Sequence, residues 1–498
     1  MAGYRRWLVL AVVSSALLLI VIDMTVLYTA LPLLTEALSA SASEKLWIIN
    51  IYSLVCAGLL LGMGTLGDRL GHRTLFIWGL VVFGLASLAA AYSSSSALLI
   101  GARGVLAIGA AMMMPATLSI IRLTFADERE QAFAIGVWAA VASGGAALGP
   151  VVGGVLLEHF WWGSVFLINV PVVLVALLMT LRYVPVSVVR RERQWDLVGS
   201  LQVMVCLIGF AYAIKEVGKR EASFTAALAA LLIGLLFAVL FVRRQRRSEH
   251  PLIDFAIFRN RTFSSAVAAA VIAAATLIGM ELVFSQRLQL VLGLSPLEAA
   301  LFILPLPLAA FVAGPLAGLA LPRAGAKNVL SAGLLLSGTG MGLYLLVHDA
   351  STLVQALTLT ALGVGIGATF TAASSTIMGS VPAEQAGMAA SIEEVCYEFG
   401  GAVGVALLGS VLSAVYSTAM ALQRVAVEAR VKDSLDEALI AARHLEPAQA
   451  TALIETAKGA FDGAFLVVMA VCAGLLLLGA VLVRRFALES GSKHSISE

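Results

Sequence analysis

Apolar residues fall along this chain in fourteen runs, each close to the length of about 20 residues that a helix needs to cross a bilayer. They occupy 7–34, 47–67, 75–92, 97–121, 132–157, 163–182, 197–215, 222–242, 263–286, 299–321, 327–347, 353–379, 386–416 and 461–483. Polar residues gather in the stretches between them. The pattern predicts an all-α polytopic membrane protein with fourteen transmembrane helices. Runs seven and eight are bracketed by basic segments at 183–196 and 243–262, and without that pair six runs stand on each side. The expected organisation is a six-helix half over 1–182, two inserted helices within 183–262, and a second six-helix half over 263–498. The connection at 417–460 is the one long loop on the outer side. Its Val425–Arg443 portion spaces Val, Ala and Leu among Glu, Arg, Lys and Asp, which predicts an amphipathic helix lying over that face.

Composition narrows the class further. Hydrophobic residues make up 60% of the 498 positions and charged residues only 12%, where an ordinary soluble domain carries roughly 25% charged residues. This excludes a soluble enzyme, a disordered chain and a secreted disulfide scaffold. The net charge of +2 offers no surface for nucleic acid. Of the 32 Lys and Arg residues, 21 fall in segments on the side of the N-terminus, ten on the other side, and Arg103 lies inside a run. Positive residues remain cytoplasmic, so both termini are expected there, in a multi-pass protein of the cell membrane (the inner membrane if the source is Gram-negative). The first run follows Arg5 and Arg6 and precedes Ala-Leu-Ser-Ala-Ser-Ala, but it is too long for a signal peptide and carries Asp23, so it is expected to be retained as a span. Cys56, Cys206, Cys396 and Cys472 each sit alone in an apolar run without CxxC or Cys/His spacing. They read as single buried thiols, and no disulfide, metal or cofactor is expected.

Ionisable residues inside the runs carry the chemistry, because each is costly in hydrocarbon unless it is paired or faces a cavity. Away from the ends of the runs there are five acids and one base: Asp23 in span 1, Arg103 in span 4, Glu281 in span 9, and Glu393, Glu394 and Glu398 in span 13. Glu281, near the outer end of its span, reads equally well as a residue reaching toward water. Glu394 and Glu398 are four apart and share a helix face, while Glu393 is rotated from Glu394 by about 100° and faces elsewhere. Like charges that close disfavour double ionisation. That suits a proton carrier, or a site where a proton and a cation compete. Tyr28, Asn50, Tyr52, Trp138, Met112 with its neighbours Met113 and Met114, and Phe399 are candidates for lining such a cavity, the aromatic and thioether groups offering cation–π and adaptable apolar contact. Any one of them taken alone more often packs or faces lipid. Gly145, Gly149, Pro150, Gly153 and Gly154 in span 5, like Gly400, Gly401 and Gly404 in span 13, allow close helix contact, and Pro150 removes one helix hydrogen bond. Beside intramembrane acids they suggest hinges.

The segment Gly64-Thr-Leu-Gly67-Asp68-Arg69-Leu-Gly71-His72-Arg73 resembles the loop motif of the major facilitator superfamily, whose Asp and Arg latch the cytoplasmic side shut. Gly64, Asp68, Arg69, Gly71 and Arg73 are the matching positions. Asp23-Met-Thr25-Val26 through Ala30-Leu31-Pro32 and Arg103 through Gly109-Ala110-Ala111 resemble the span-1 and span-4 signatures of its fourteen-span drug:proton antiporter family. Gly149-Pro150-Val-Val-Gly153-Gly154 resembles the antiporter motif of span 5. Trp162-Gly163-Ser-Val-Phe166-Leu-Ile-Asn169-Val-Pro171 and Leu292-Gly293-Leu-Ser295-Pro296 are also familial. The acidic cluster of span 13 resembles that of the branch exporting quaternary ammonium compounds, cationic dyes and biguanide antiseptics. Tyr28 stands where the signature usually has Asn, Leu106 and Ala107 replace Gln-Gly, and Asn50 stands where these exporters often have Asp.

The resemblance implies a proton-coupled exporter of small lipophilic cations working by alternating access, expected to act as a monomer. Within it Asp23, Glu394 and Glu398 are the coupling candidates, with Arg103 holding Asp23 ionised until substrate or conformation separates them. The inserted spans are expected to be peripheral to transport, since the motif residues lie in the flanking halves. The alternatives are an exporter of an anionic or neutral metabolite or antibiotic, favoured if Arg103 dominated the cavity, and a membrane sensor or embedded enzyme. Against the last, the chain has no HExxH, GxSxG, P-loop or CxxC, and its basic loops are short.

Overall fold

The computed structural model describes residues 3–40, 42–186, 196–217, 223–248, 251–422 and 434–486. The first half comprises α1 (Gly3–Ala37), α2 (Ala42–Leu70), α3 (His72–Ala91), α4 (Ser96–Thr124), α5 (Glu128–His159), and a sixth span broken into α6 (Ser164–Leu167) and α7 (Asn169–Tyr183). Two further helices follow, α8 (Leu197–Val217) and α9 (Phe224–Gln245). The second half comprises α10 (Arg261–Gln286), a tenth span broken into α11 (Pro296–Ile303) and α12 (Pro305–Ala324), α13 (Ala326–Val347), α14 (Thr352–Gly379), α15 (Ala386–Leu422) and α17 (Pro447–Phe486), with the short α16 (Leu435–Ala442) before the last. Among the described residues thirteen helices are long and apolar enough to cross a membrane, and α8 supplies a fourteenth, shorter apolar run at Val198–Phe210.

Local chemistry sets the helix ends. Ser95 caps α4 by accepting from Leu98 N–H, and Asp127 caps α5 by accepting from Arg129 and Glu130 N–H, satisfying donors that the first turn leaves without intrahelical partners. The Gly293–Pro296 segment has a similar logic. Gly293 turns the chain at φ +70° after a short π-helical stretch, Ser295 and Glu298 form a capping box, and Pro296 occupies the first turn of α11.

The two halves repeat one packing plan. α1 packs on α5, α2 on α4 and α3 on α4; correspondingly α10 packs on α15, α12 on α14 and α13 on α14. The halves meet where α5 crosses α12 and α2 crosses α15. At the first crossing, Gly136 lies against the Gly314 carbonyl and Gly318 against that of Ala132, so any Cβ there would collide with backbone. At the second, Gly64 and Gly387 approach each other's carbonyls. Both crossings sit toward the face carrying the two termini.

The long outer connection differs from expectation. α15 continues to Leu422 and α17 already begins at Pro447, so much of it is an extension of the flanking spans. Apolarity marks only the part of a helix that meets lipid, whereas helix geometry continues into polar sequence. Residues 425–433 of the expected amphipathic helix lie outside the described residues. The remainder forms α16, which buries Leu435, Ala438 and Ala442 and packs on α17.

Candidate functional site

The first half gathers its polar residues around Asp23, which is fully buried in α1. Asn169, at the start of α7, donates from Nδ2 to Asp23 Oδ1 at 2.8 Å and to Ser87 Oγ of α3 at 3.2 Å. Arg103 of α4, also buried, places NH1 3.6 Å from Asp23 Oδ2 and donates from Nε to the Ile48 carbonyl of α2 at 2.8 Å. Its guanidinium lies 5.0 Å from the centre of the Tyr52 ring. Arg103 is thus held by an acid, a carbonyl and a ring. Ser87 carried no sequence signal, while Asn169, quoted only as part of a motif, was traceable as the polar residue of an otherwise apolar sixth run.

The second half contributes α15. Glu393 and Glu394 are both buried. Glu393 Oε1 accepts from Tyr397 OH at 2.7 Å, and the Tyr397 ring stacks edge-on against Phe370 of α14 at 5.1 Å. Glu394 and Glu398 face α2 instead, within electrostatic reach of Cys56, while Tyr52, one turn earlier on α2, reaches toward both Asp23 and Glu398. The face of α2 bearing Tyr52 and Cys56 therefore stands between the two acidic groups. Glu398 opens into a pocket of about 560 Å³, counting its mouth, walled by α2, α8 and α15 and including Phe399. Behind this cluster Gly400, Gly401 and Gly404 lie against Val271, Ile278 and Ala275 of α10, so they pack α15 tightly on α10.

The Gly64–Arg73 segment occupies the terminal-face crossing. Asp68, in the last turn of α2, accepts at Oδ1 from Gly387 N–H in the first turn of α15 at 2.9 Å, and His72 Nε2 lies 3.1 Å from the same oxygen. A carboxylate there satisfies a donor that the helix leaves open and complements its positive end. Ser391 Oγ donates to the Leu60 carbonyl at 2.8 Å, bolting the same helices one turn further in. Gly71 adopts φ +91°, which a side chain would strain. Arg73 donates to the Leu181 carbonyl at 2.8 Å, holding the turn to α7, and Arg69 is partly exposed beside it. Arg122 makes a further link across the halves to the Val381 carbonyl. Asp68→Asn keeps an acceptor for Gly387 N–H but removes the charge, and is expected to lower turnover several-fold while leaving cation binding within about two-fold of wild type. Equilibrium binding beside transport checks this; equal loss of both would assign Asp68 a folding role.

Other candidates fall variously. Glu281 is exposed on α10. Asn50 is partly buried on α2. Trp138 is buried and donates from Nε1 to Thr117 Oγ1 at 3.0 Å, linking α5 to α4. Met112 and Met113 approach Gly79 of α3. Gly145 and Gly149 of α5 receive Val21 and Thr25 of α1, the neighbours of Asp23, while Gly153 is buried and Gly154 faces open space. The side chains of Tyr28 and Pro150 lie outside the described residues.

A bundle of this topology with buried carboxylates at its centre defines a membrane transporter, not an enzyme. The Major Facilitator Superfamily model matches residues 13–405, and the chain belongs to that family. It is 42% identical over 482 residues to the methyl viologen resistance protein SmvA of Salmonella typhimurium, covering 96% of this chain and 97% of that one. It is 38% identical over 483 residues to the multidrug efflux pump LfrA of Mycolicibacterium smegmatis, covering 96% of each. Among solved structures, the human organic anion transporter MFSD10 matches with a TM-score of 0.64 at 15% identity, covering 97% of this chain and 100% of that one. The proton:xylose symporter XylE matches at 0.62 and 14%, covering 98% and 97%. At those identities the two structures speak for the fold alone.

Proposed function

We propose that this chain is a proton-coupled antiporter that expels lipophilic cations, including quaternary ammonium compounds, cationic dyes and biguanide antiseptics, from the cytoplasm across the cell membrane. It works by alternating access, as a monomer with both termini in the cytoplasm. The observation that carries this reading is the set of carboxylates at the centre. Arg103 is engaged by Asp23 and the Ile48 carbonyl, whereas α15 brings Glu393 and Glu394 into the buried interior and Glu398 to a pocket. A cavity there favours positive charge, which speaks against an anionic cargo. Methyl viologen, named in one relative, is itself a cation, and the other relative is named as a multidrug pump. The Asp68–Gly387 and Gly136–Gly314 contacts would close the cytoplasmic side, and both must part when the transporter faces inward.

Antiport moves the cargo toward the acid compartment. Purified protein in liposomes with an acid interior is therefore expected to accumulate ethidium or tetraphenylphosphonium, and to lose that accumulation when nigericin collapses the gradient. Equal movement with and without the gradient would remove proton coupling. Gradient-driven movement of organic anions in place of cations would support the alternative cargo.

A further inference from the structure

We infer that the end of α9 and the segment leading into α10 form a docking site for anionic phospholipid headgroups, on the membrane face that carries the two termini. Such a site would serve the chain whatever its cargo. α9 turns Leu228, Leu232, Leu235 and Leu236 outward. Its 22 residues span about 33 Å, close to the roughly 30 Å of hydrocarbon in a bilayer. The last turn of α9 therefore emerges at the level of the headgroup phosphates. There the chain reads Arg243-Arg244-Gln245-Arg246-Arg247, and all four arginines are exposed.

Elsewhere on this face bases are engaged by the protein itself: Arg6 pairs with Glu130, Arg73 donates to the Leu181 carbonyl and Arg122 to that of Val381. At the end of α9 only Arg244 is so engaged, its Nε lying 2.8 Å from Asp196 Oδ1. Arg243, Arg246 and Arg247, like Arg259 and Arg261 at the start of α10, are exposed and form no ion pair among the described residues. Gln245 ties the two groups of arginines together. It is buried, donates from Nε2 to Asp196 Oδ2 at 3.1 Å, and accepts at Oε1 from Leu252 N–H. Beyond the buried Leu252, Asp254 caps a 3₁₀ turn over Phe255–Arg259 and meets Met388 Sδ of α15 through its N–H at 3.4 Å. The arginines thus stand on a platform fixed to the bundle. Phe258 of that turn packs edge-on to Phe263 and remains 39% exposed beside Arg259. All six Lys or Arg residues in 243–262 are arginine, against Glu249 and Asp254. A planar guanidinium binds phosphate oxygens in pairs, and its stem lies along apolar surface. A cluster of this size beside a membrane helix suits an acidic leaflet. The exposed leucines and Phe258 meet the acyl chains, which a free phosphate lacks.

Phosphatidylglycerol is the probe and phosphatidylcholine the comparison without net charge, each titrated into the full chain in detergent and counted by native mass spectrometry. The wild type is expected to prefer phosphatidylglycerol by about ten-fold or more. Arg243→Gln, Arg246→Gln and Arg247→Gln together should remove most of that preference, and adding Arg259→Gln and Arg261→Gln should remove the rest. Arg484→Gln with Arg485→Gln, two exposed bases at the end of α17, should leave affinity within about two-fold of wild type. A wild type without the preference overturns the inference. Equal loss in the Arg484 and Arg485 variant also overturns it, because the attraction is then that of any basic surface. Displacement of the lipid by excess inorganic phosphate would make this a site for the free anion and overturn the lipid assignment. Should the triple variant fail to fold, phosphatidylglycerol with a photoreactive acyl chain decides the matter on the wild type. Adducts within 235–261 that phosphatidylglycerol competes and phosphatidylcholine does not support the site; adducts confined to other helices, or competed equally by both lipids, refute it.

Discussion

Asp23→Asn is expected to reduce proton-driven ethidium efflux to the level of cells lacking the transporter. The substitution preserves an oxygen that can accept from Asn169 Nδ2 but removes the charge facing Arg103. Two consequences follow and can be separated. Proton exchange on this carboxylate ends, which stops coupling. The buried guanidinium also loses its counter-charge, and breaking a buried pair from one side costs about 3–5 kcal/mol, so the single variant should melt lower. Asp23→Asn combined with Arg103→Gln removes both charges and is expected to recover most of the melting temperature without recovering efflux. Efflux restored in the double variant would show that the pair is structural and that protons travel elsewhere.

Glu394→Gln should flatten the pH dependence of cation binding. An ionised carboxylate attracts the cation and a protonated one does not, so proton and cation compete. Affinity is then high at the alkaline end and falls as pH drops, with reciprocal proton release when the cation binds. With one competing proton, the dissociation constant rises by at most about ten-fold per pH unit below the titration point. Tetraphenylphosphonium binding in detergent between about pH 5.5 and 8.5 should show such a slope in the wild type, and in Glu394→Gln a shallower slope with weaker binding at the alkaline end. If the slope persists unchanged in Glu394→Gln, Glu398→Gln and Asp23→Asn alike, the coupling carboxylate lies elsewhere, and Glu281, exposed on α10, is next in line.

The sequence was informative about these acids because hydrocarbon is an unforgiving solvent. An Asp or Glu within an apolar run stands out without any knowledge of its neighbours, and Asp23, Glu393 and Glu394 are all buried. Helix periodicity separates Glu393 from Glu394 by about 100°, and Glu393 accepts from Tyr397 of its own helix. The same periodicity cannot say which packed helix a face meets. Trp138 and Met112, chosen for their chemistry, pack against Thr117 and α3, because an aromatic or thioether group serves a core and a cavity equally well. Leu207, Ile208 and Phe210 went unremarked for the converse reason: nothing distinguishes a pocket-lining leucine from a lipid-facing one in a run that is apolar throughout.

What the sequence determined by itself was an all-α chain of many apolar spans and the buried charges Asp23, Arg103, Glu393 and Glu394. Each follows from transfer of short segments or single side chains between water and lipid, which depends on local composition. What only the tertiary structure decided was pairing between distant segments. Asp23 meets Arg103 and Asn169, Asp68 meets the first turn of α15, and α8 comes to stand beside Glu398. Those contacts depend on which helices pack and at what depth, set by the fit of small residues such as Gly64, Gly136 and Gly58 against particular backbones. Because lipid tails are as apolar as leucine, hydrophobicity places a helix in the membrane but does not choose its neighbours.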